Sequence, residues 1–347
     1  MNEIPSKCQN CGSELKFDPK SGALICKYCG SNYFLPKKQE DAVIVRQYSG
    51  EFHPNGLNQS LRAYKCNTCG NTYYMSSDGT SKKCPNCANN TMTLIEDPGY
   101  VADGIIPFSI TKEEAAKNFA RFLKGKTNYP KELKKSAENQ KLMGVFVPIW
   151  NFSLNVIAEY SANVNEVKKG WDGNYYSSSK PIFGDKVKRI KSLDACATTQ
   201  EDDELLELFD ENDYAKIIPF IPEYTYGYKV DATNKDIHEH YYKIVEGAEQ
   251  ELKTSIKKEL LDKYKEISGI NTAAQARDVF FNYTYVPVFV NTFTYRNKTY
   301  KTYISGTTGK VIGKTPKSTW AYVKELIKIF GVAAGIALIV FLLSRNK

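Results

Sequence analysis

Eight of the nine cysteines fall into four Cys-x2-Cys pairs, and this spacing constrains the fold more than any other feature. Cys8/Cys11 and Cys26/Cys29 are separated by fourteen residues, and Cys66/Cys69 and Cys84/Cys87 repeat that separation. A two-residue gap lets both thiolates of a pair face one ion, while backbone N–H groups of the turn stabilise their charge. Gly12, Gly30 and Gly70 follow three of the pairs, where a left-handed backbone is needed; Ala88 follows the fourth. Two facing pairs complete a tetrahedral four-sulfur site, which suits Zn²⁺. A redox Cys-x2-Cys would call for a βαβ context, and the Gly-, Asn- and Lys-rich flanks do not read as one. The expectation is therefore two structural Zn²⁺ sites, ligated by Cys8, Cys11, Cys26 and Cys29 and by Cys66, Cys69, Cys84 and Cys87. Each would supply on the order of 10 kcal/mol to a module too small for a core of its own. Cys196, left over between Ala195 and Ala197, reads as a packing residue.

The start of the chain shows no apolar secretory segment, and thiolate metal sites suit a reducing compartment. Both observations argue against a secreted disulfide protein. The 347 residues divide by composition. Residues 1–36 read as a first zinc ribbon, 37–60 as a linker with one short strand, and 61–99 as a second ribbon. A β-rich domain occupies 100–319, and an apolar tail 320–347. The 41 Tyr and Phe residues favour strands. The net charge of +8 allows contact with anionic partners without demanding it.

The 100–319 region carries an internal echo. Ile105-Ile106-Pro107-Phe108 recurs as Ile217-Ile218-Pro219-Phe220, and Val147-Pro148-Ile149-Trp150 recurs as Val286-Pro287-Val288-Phe289. A two-unit repeat over about 105–198 and 217–313 follows. Thr111 and Glu114 form a capping box for a helix. Asp203–Leu208 reads as a short acidic helix, and Asp236–Ile267 as a long one with Tyr241, Ile244, Ala248, Leu252, Ile256, Leu260, Leu261 and Tyr264 on one stripe. The remainder alternates with period two. The fold expected is two small β zinc ribbons plus an α+β domain with antiparallel sheets, ending in a single transmembrane helix.

The tandem ribbons, "IIPFSITKEEAAKNFARFLKGK", "GVFVPIWNFSLNVIAEYSA" and "SGTTGKVIGKTP" ahead of an apolar tail resemble a bacterial family of tail-anchored tandem zinc-ribbon membrane proteins. Its members are labelled TFIIB-type zinc ribbon-containing proteins, sometimes primosomal protein N′/helicase-like. The resemblance implies a non-enzymatic membrane protein, the same eight cysteine ligands, and PspA-like or SPFH/virion-core-like proteins as partners. From the residues themselves, Leu326–Leu343 contains one charge, Lys328, and eighteen helical residues span about 27 Å, close to a bilayer's hydrocarbon thickness. This predicts a span that meets membrane lipid through residues 320–343, a single-pass cell-membrane location, and a cytoplasmic bulk. Gly331 and Gly335 within it suggest homo- or hetero-oligomer contacts.

Other signals carry less. Gly306-Thr-Thr-Gly309-Lys310 lacks the remaining phosphate-loop positions and reads as a hairpin turn, which argues against a helicase. His238 and His240 read as solvated, as does the run Glu201–Asp213 with its eight acids. Two functions follow: a membrane-anchored adaptor or scaffold that recruits or organises partner proteins, linked to membrane stress, or a tethered nucleic-acid-binding protein. Residues 1–100 hold eleven Lys and Arg against nine Asp and Glu, a small surplus for a nucleic-acid module. No catalytic arrangement stands out, and the chain is read as no enzyme.

Overall fold

The computed structural model describes residues 6–35, 43–50, 61–75, 84, 87, 89–96, 100–124, 129–130, 142–201, 203–264 and 266–314. Its architecture is dominated by three very long strands: β9 (Met143–Lys169), β10 (Tyr175–Cys196) and β13 (Ile267–Tyr295). Ten others precede or fall between them: β1 (Leu15–Asp18), β2 (Ala23–Cys26), β3 (Asn32–Phe34), β4 (Arg46–Gln47), β5 (Arg62–Cys66), β6 (Thr72–Met75), β7 (Met92–Ile95), β8 (Gly104–Ile105), β11 (Ile218–Pro219) and β12 (Lys229–Asp231). β14 (Lys298–Ser305) and β15 (Val311–Gly313) close the series. The helices are α1 (Lys112–Leu123), α2 (Glu211–Tyr214) and α3 (Ile237–Lys263), with 3₁₀ turns at Asp203–Leu208 and Pro222–Thr225.

β9 turns into β10 at a tight loop, where Gly173 takes a φ of +81° and the Gly170 N–H donates to Asn174 O at 2.7 Å. β13 runs antiparallel along the other side of β9, so the three strands form a continuous antiparallel ladder. At 3.3–3.4 Å per residue the 27 residues of β9 reach about 90 Å. One face of this ladder alternates Leu154, Val156 and Ala158, and α3 covers it with Ile244, Ala248, Leu252, Ile256 and Leu260. Asp236 caps α3 by accepting the His238 N–H at 3.0 Å.

At its base the ladder widens into a twelve-stranded sheet. Here the two copies of the echo meet. Val286 pairs with Val147 and Tyr285 with Pro148 across β13 and β9, while Ile218 pairs with Ile105 across β11 and β8. β8 lies parallel to β13 and β12 lies parallel to β9. One face of this base packs Phe108, Phe146, Tyr228 and Phe289, with the Phe108 and Tyr228 rings stacked at 4.2 Å. The other packs Val145, Val147, Val288, Val290 and Tyr303 under Leu205 and Leu208.

Several expectations need correction. The α+β fold becomes a mostly β one, with 48% strand against 20% helix, and its sheet is mixed rather than antiparallel. The second ribbon is not a separate unit: β5, β6 and β7 join the main sheet through β6 and β12, where Val230 pairs with Tyr74 and Asp231 with Tyr73. Among the described residues, β1, β2 and β3 of the first ribbon form a sheet separate from the main one. Among the described residues no helix is long and apolar enough to cross a membrane. Against the expected terminal transmembrane helix and single-pass cell-membrane location, the described residues hold no such helix. The expected span, its lipid contact and the Gly331/Gly335 contact fall on residues outside those described.

Local sequence explains the elements that were read correctly. Thr111 and Glu114 exchange the two capping-box bonds, at 3.3 and 2.8 Å. Asp203–Leu208 forms its turn, and residues 306–310 make the hairpin loop between β14 and β15, with Gly309 at φ +76°.

Candidate metal centres

Each Cys-x2-Cys turn is built by the backbone. The Gly12 N–H donates to Cys8 O at 2.8 Å and the Cys8 N–H to Ser13 O at 2.7 Å. Gly30 with Cys26, and Gly70 with Cys66, repeat the first bond at 2.9 Å, and the Cys84 N–H donates to Asn89 O at 2.8 Å. The three glycines stand at φ +73°, +76° and +78°, where a side chain would be strained.

These turns bring the thiols together as two groups, Cys8/Cys11/Cys26/Cys29 and Cys66/Cys69/Cys84/Cys87, with all four sulfurs of each within 4.8 Å of one another. Across the pairs the Sγ–Sγ distances are 3.5 Å for Cys8–Cys29, 3.4 Å for Cys11–Cys26, 3.7 Å for Cys66–Cys87 and 3.6 Å for Cys69–Cys84. A tetrahedron with metal–sulfur bonds of about 2.3 Å has edges of about 3.8 Å, so the donor sets fit one four-coordinate ion each. All eight cysteines read from sequence as ligands are thus placed in the two groups.

The electrostatics differ between the sites. At the first, the Tyr33 hydroxyl 3.4 Å from Cys8 Sγ pulls that thiol down to about 6. The same hydroxyl accepts the Gln9 N–H at 3.1 Å. At the second, burial pushes the Cys66 thiol up, but the N–H groups of Cys69 and Thr68 outweigh it and bring it to about 6. Cys66 and Cys84 are buried, and Lys229 on β12 lies beside them. Burial drags the Lys229 ammonium down to about 8, while the charges of Cys84 and Cys66 pull the other way. Its Nζ also lies 3.6 Å from Met92 Sδ on β7.

Neither Lys229 nor Tyr33 was assigned to a metal centre from sequence; Tyr33 was read with the other ribbon aromatics as a hairpin core residue or a base-stacking one. Lys229 is separated from Cys84 by well over a hundred residues, so only the pairing of β12 with β6 brings it near the metal ligands. β12 is buried throughout, with Lys229 and Asp231 as charges at its two ends.

The same face of the sheet holds a buried polar cluster. Glu201 accepts from Lys301 Nζ at 3.0 Å and from the Tyr303 hydroxyl at 2.8 Å, and Asp213 accepts from Thr307 Oγ1 at 2.8 Å. The run Glu201–Asp213 is therefore not a uniformly solvated face, because Glu201 and Asp213 are buried. Likewise His240 is buried in the α3 interface, and His238 Nδ1 bonds the Tyr48 hydroxyl at 2.6 Å. Cys196 is buried as expected, and burial raises its thiol.

The first ribbon docks onto the body through the Phe17 N–H, which donates to Tyr226 O at 2.9 Å, and through the Phe17 and Tyr224 rings, 5.0 Å apart. Lys16 Nζ sits 5.1 Å over the Tyr228 ring.

Similarity to known proteins extends along the whole chain. It is 24% identical to the uncharacterized protein YdjG of Bacillus subtilis (strain 168), over 98% of this chain and 97% of that protein. No family model and no solved structure matches.

Proposed function

We propose that the protein is a non-enzymatic scaffold in which two structural Zn²⁺ ions shape a surface for partner proteins. The observation that carries this reading is the closure of both donor sets. Four thiols surround each centre, so a bound Zn²⁺ would keep no open position for water or substrate. Such an ion supplies folding energy and shape rather than Lewis-acid chemistry. Zn²⁺ is the ion that four thiolates in a tetrahedron favour. The resemblance to tandem zinc-ribbon proteins, and a near-neutral ribbon region, favour protein over nucleic acid as the partner. The test is elemental analysis of the purified full chain, followed by crosslinking in cell extract read for protein and nucleic acid together. Two zinc ions per chain and crosslinked protein are expected. Iron in place of zinc, or crosslinks confined to nucleic acid, would refute the reading.

A further inference from the structure

The long ladder has one face under α3, and among the described residues no element covers the opposite face. Residues 181, 183, 185, 187 and 189 of β10, and 271, 273, 275 and 277 of β13, alternate outward and are all exposed. Phe183 is 79% exposed and Val187 61%, so this face presents apolar side chains among its polar ones.

The registers arrange the charges of this face in rows. Asp185 pairs with Glu159, so two carboxylates stand directly opposite one another. One step along, Val187 pairs with Ile157, and Ile157 with Gln275. One further step along, Arg189 and Arg277 both pair with Asn155. Asp278, which accepts from Asn155 Nδ2 at 3.2 Å, offsets part of that positive row. Like charges facing each other across a ladder destabilise it. Neither Asp185 nor Glu159 has an ion-pair partner among the described residues. The acidic and basic rows lie about 14 Å apart, with the apolar row midway.

This pattern is its own complement. A two-fold axis lying in the open face, across the strands at the Val187/Ile157 row, reverses the strand direction of a second copy. Asp185 then comes opposite Arg189 of the second copy, and Glu159 diagonally opposite its Arg277. Val187 and Ile157 meet their own counterparts at the centre, as an isologous interface requires. Sheets pack face to face at about 10 Å, within reach of Arg and Asp side chains together. The free edge of β10 is a poorer docking site, because Lys180, Pro181, Lys186 and Lys188 occupy it.

We infer that the open face of the β9–β10–β13 ladder is a homodimer interface, in which two copies pack antiparallel and pair the Asp185/Glu159 row of each with the Arg189/Arg277 row of the other. The charge pairing makes the prediction specific. The full chain should sediment as a dimer at tens of micromolar. The double variant Asp185→Lys/Glu159→Lys, and separately Arg189→Glu/Arg277→Glu, should each be monomeric, with dimer affinity lowered about tenfold or more. An equimolar mixture of the two variants should restore a dimer, since each then carries the charge that the other lacks. Circular dichroism checks that both variants keep their strands, and recovery in the mixture separates lost pairing from lost folding. A monomeric wild type overturns the inference. So does an assembly whose mass the swaps leave unchanged, or a mixture that stays monomeric.

Discussion

Lys229 shows how one side chain ties a metal centre to the rest of the molecule. An ammonium buried beside two thiolates offsets their charge, and outer groups of this kind typically change metal affinity 10–100-fold when removed. Lys229→Met should therefore lower zinc affinity at the Cys66/Cys69/Cys84/Cys87 site by about that factor, leaving the other site unchanged. Competition with a chromogenic chelator, following the two zinc ions separately, measures it. Asp194 makes a different kind of prediction. Burial lifts its carboxyl to about 6, from an ordinary value near 3.8. The unfolded chain ionises first, so between about pH 4 and 6 the fold holds a proton that the unfolded chain has released. Stability falls as pH rises through that window and levels off above it. Asp194→Asn should remove this slope and stabilise the protein at pH 7 by about 2–3 kcal/mol, the worth of a shift of roughly two units. Denaturation curves of both proteins across the window would show it; parallel curves would disprove it.

At the scale of the element, α3 depends on its stripe more than on its propensity. Ala248, Leu252 and Ile256 are almost fully buried against the ladder. Leu252→Ala should cost about 2–5 kcal/mol, through lost burial and the cavity left behind. Asp236→Ala, which removes the N-cap, should cost about 1 kcal/mol. Urea titration ranks the two, and a larger loss at the cap would mean that α3 is held by its end and not by its face. The stripe was legible in the sequence from Ile244 to Leu260 because a helix repeats its contacts every 3.6 residues. Leu261 was read with it but is 49% exposed, one step around the helix from the covered side. The alternating stretch Tyr224–Val230 reads as strand, yet Tyr224 and Thr225 fall in the 3₁₀ turn Pro222–Thr225, because Pro222 sets the backbone for a turn.

For the whole molecule, the two ribbons should fail differently. β1, β2 and β3 form a sheet of their own, so Cys8→Ser should unfold that ribbon and leave the body's melting transition near its original temperature. β6 pairs with β12, which lies beside β9 in the main sheet. Cys66→Ser should therefore lower the main transition as well. Calorimetry of the two variants distinguishes local closure from coupling through the sheet, and identical thermograms would contradict it.

The four Cys-x2-Cys pairs were legible from sequence alone as two four-thiol groups that could hold a metal ion, because a thiol pair on a tight turn is a local object whose geometry needs only adjacent residues. The capping box at Thr111, the α3 stripe and the 306–310 hairpin are local in the same sense. The Ile-Ile-Pro-Phe and Val-Pro signatures were visible as an echo, but nothing in either copy says that Val147 lies opposite Val286. Strand partners far apart in sequence are chosen by the summed burial of two faces, which no short segment contains. The same physics hid the merging of the second ribbon with the main sheet, the placement of Lys229 beside Cys66 and Cys84, and the burial of Glu201 and Asp213 within an acidic run. Only the tertiary structure decided these, because each depends on groups brought together across many residues by pairing on a common sheet.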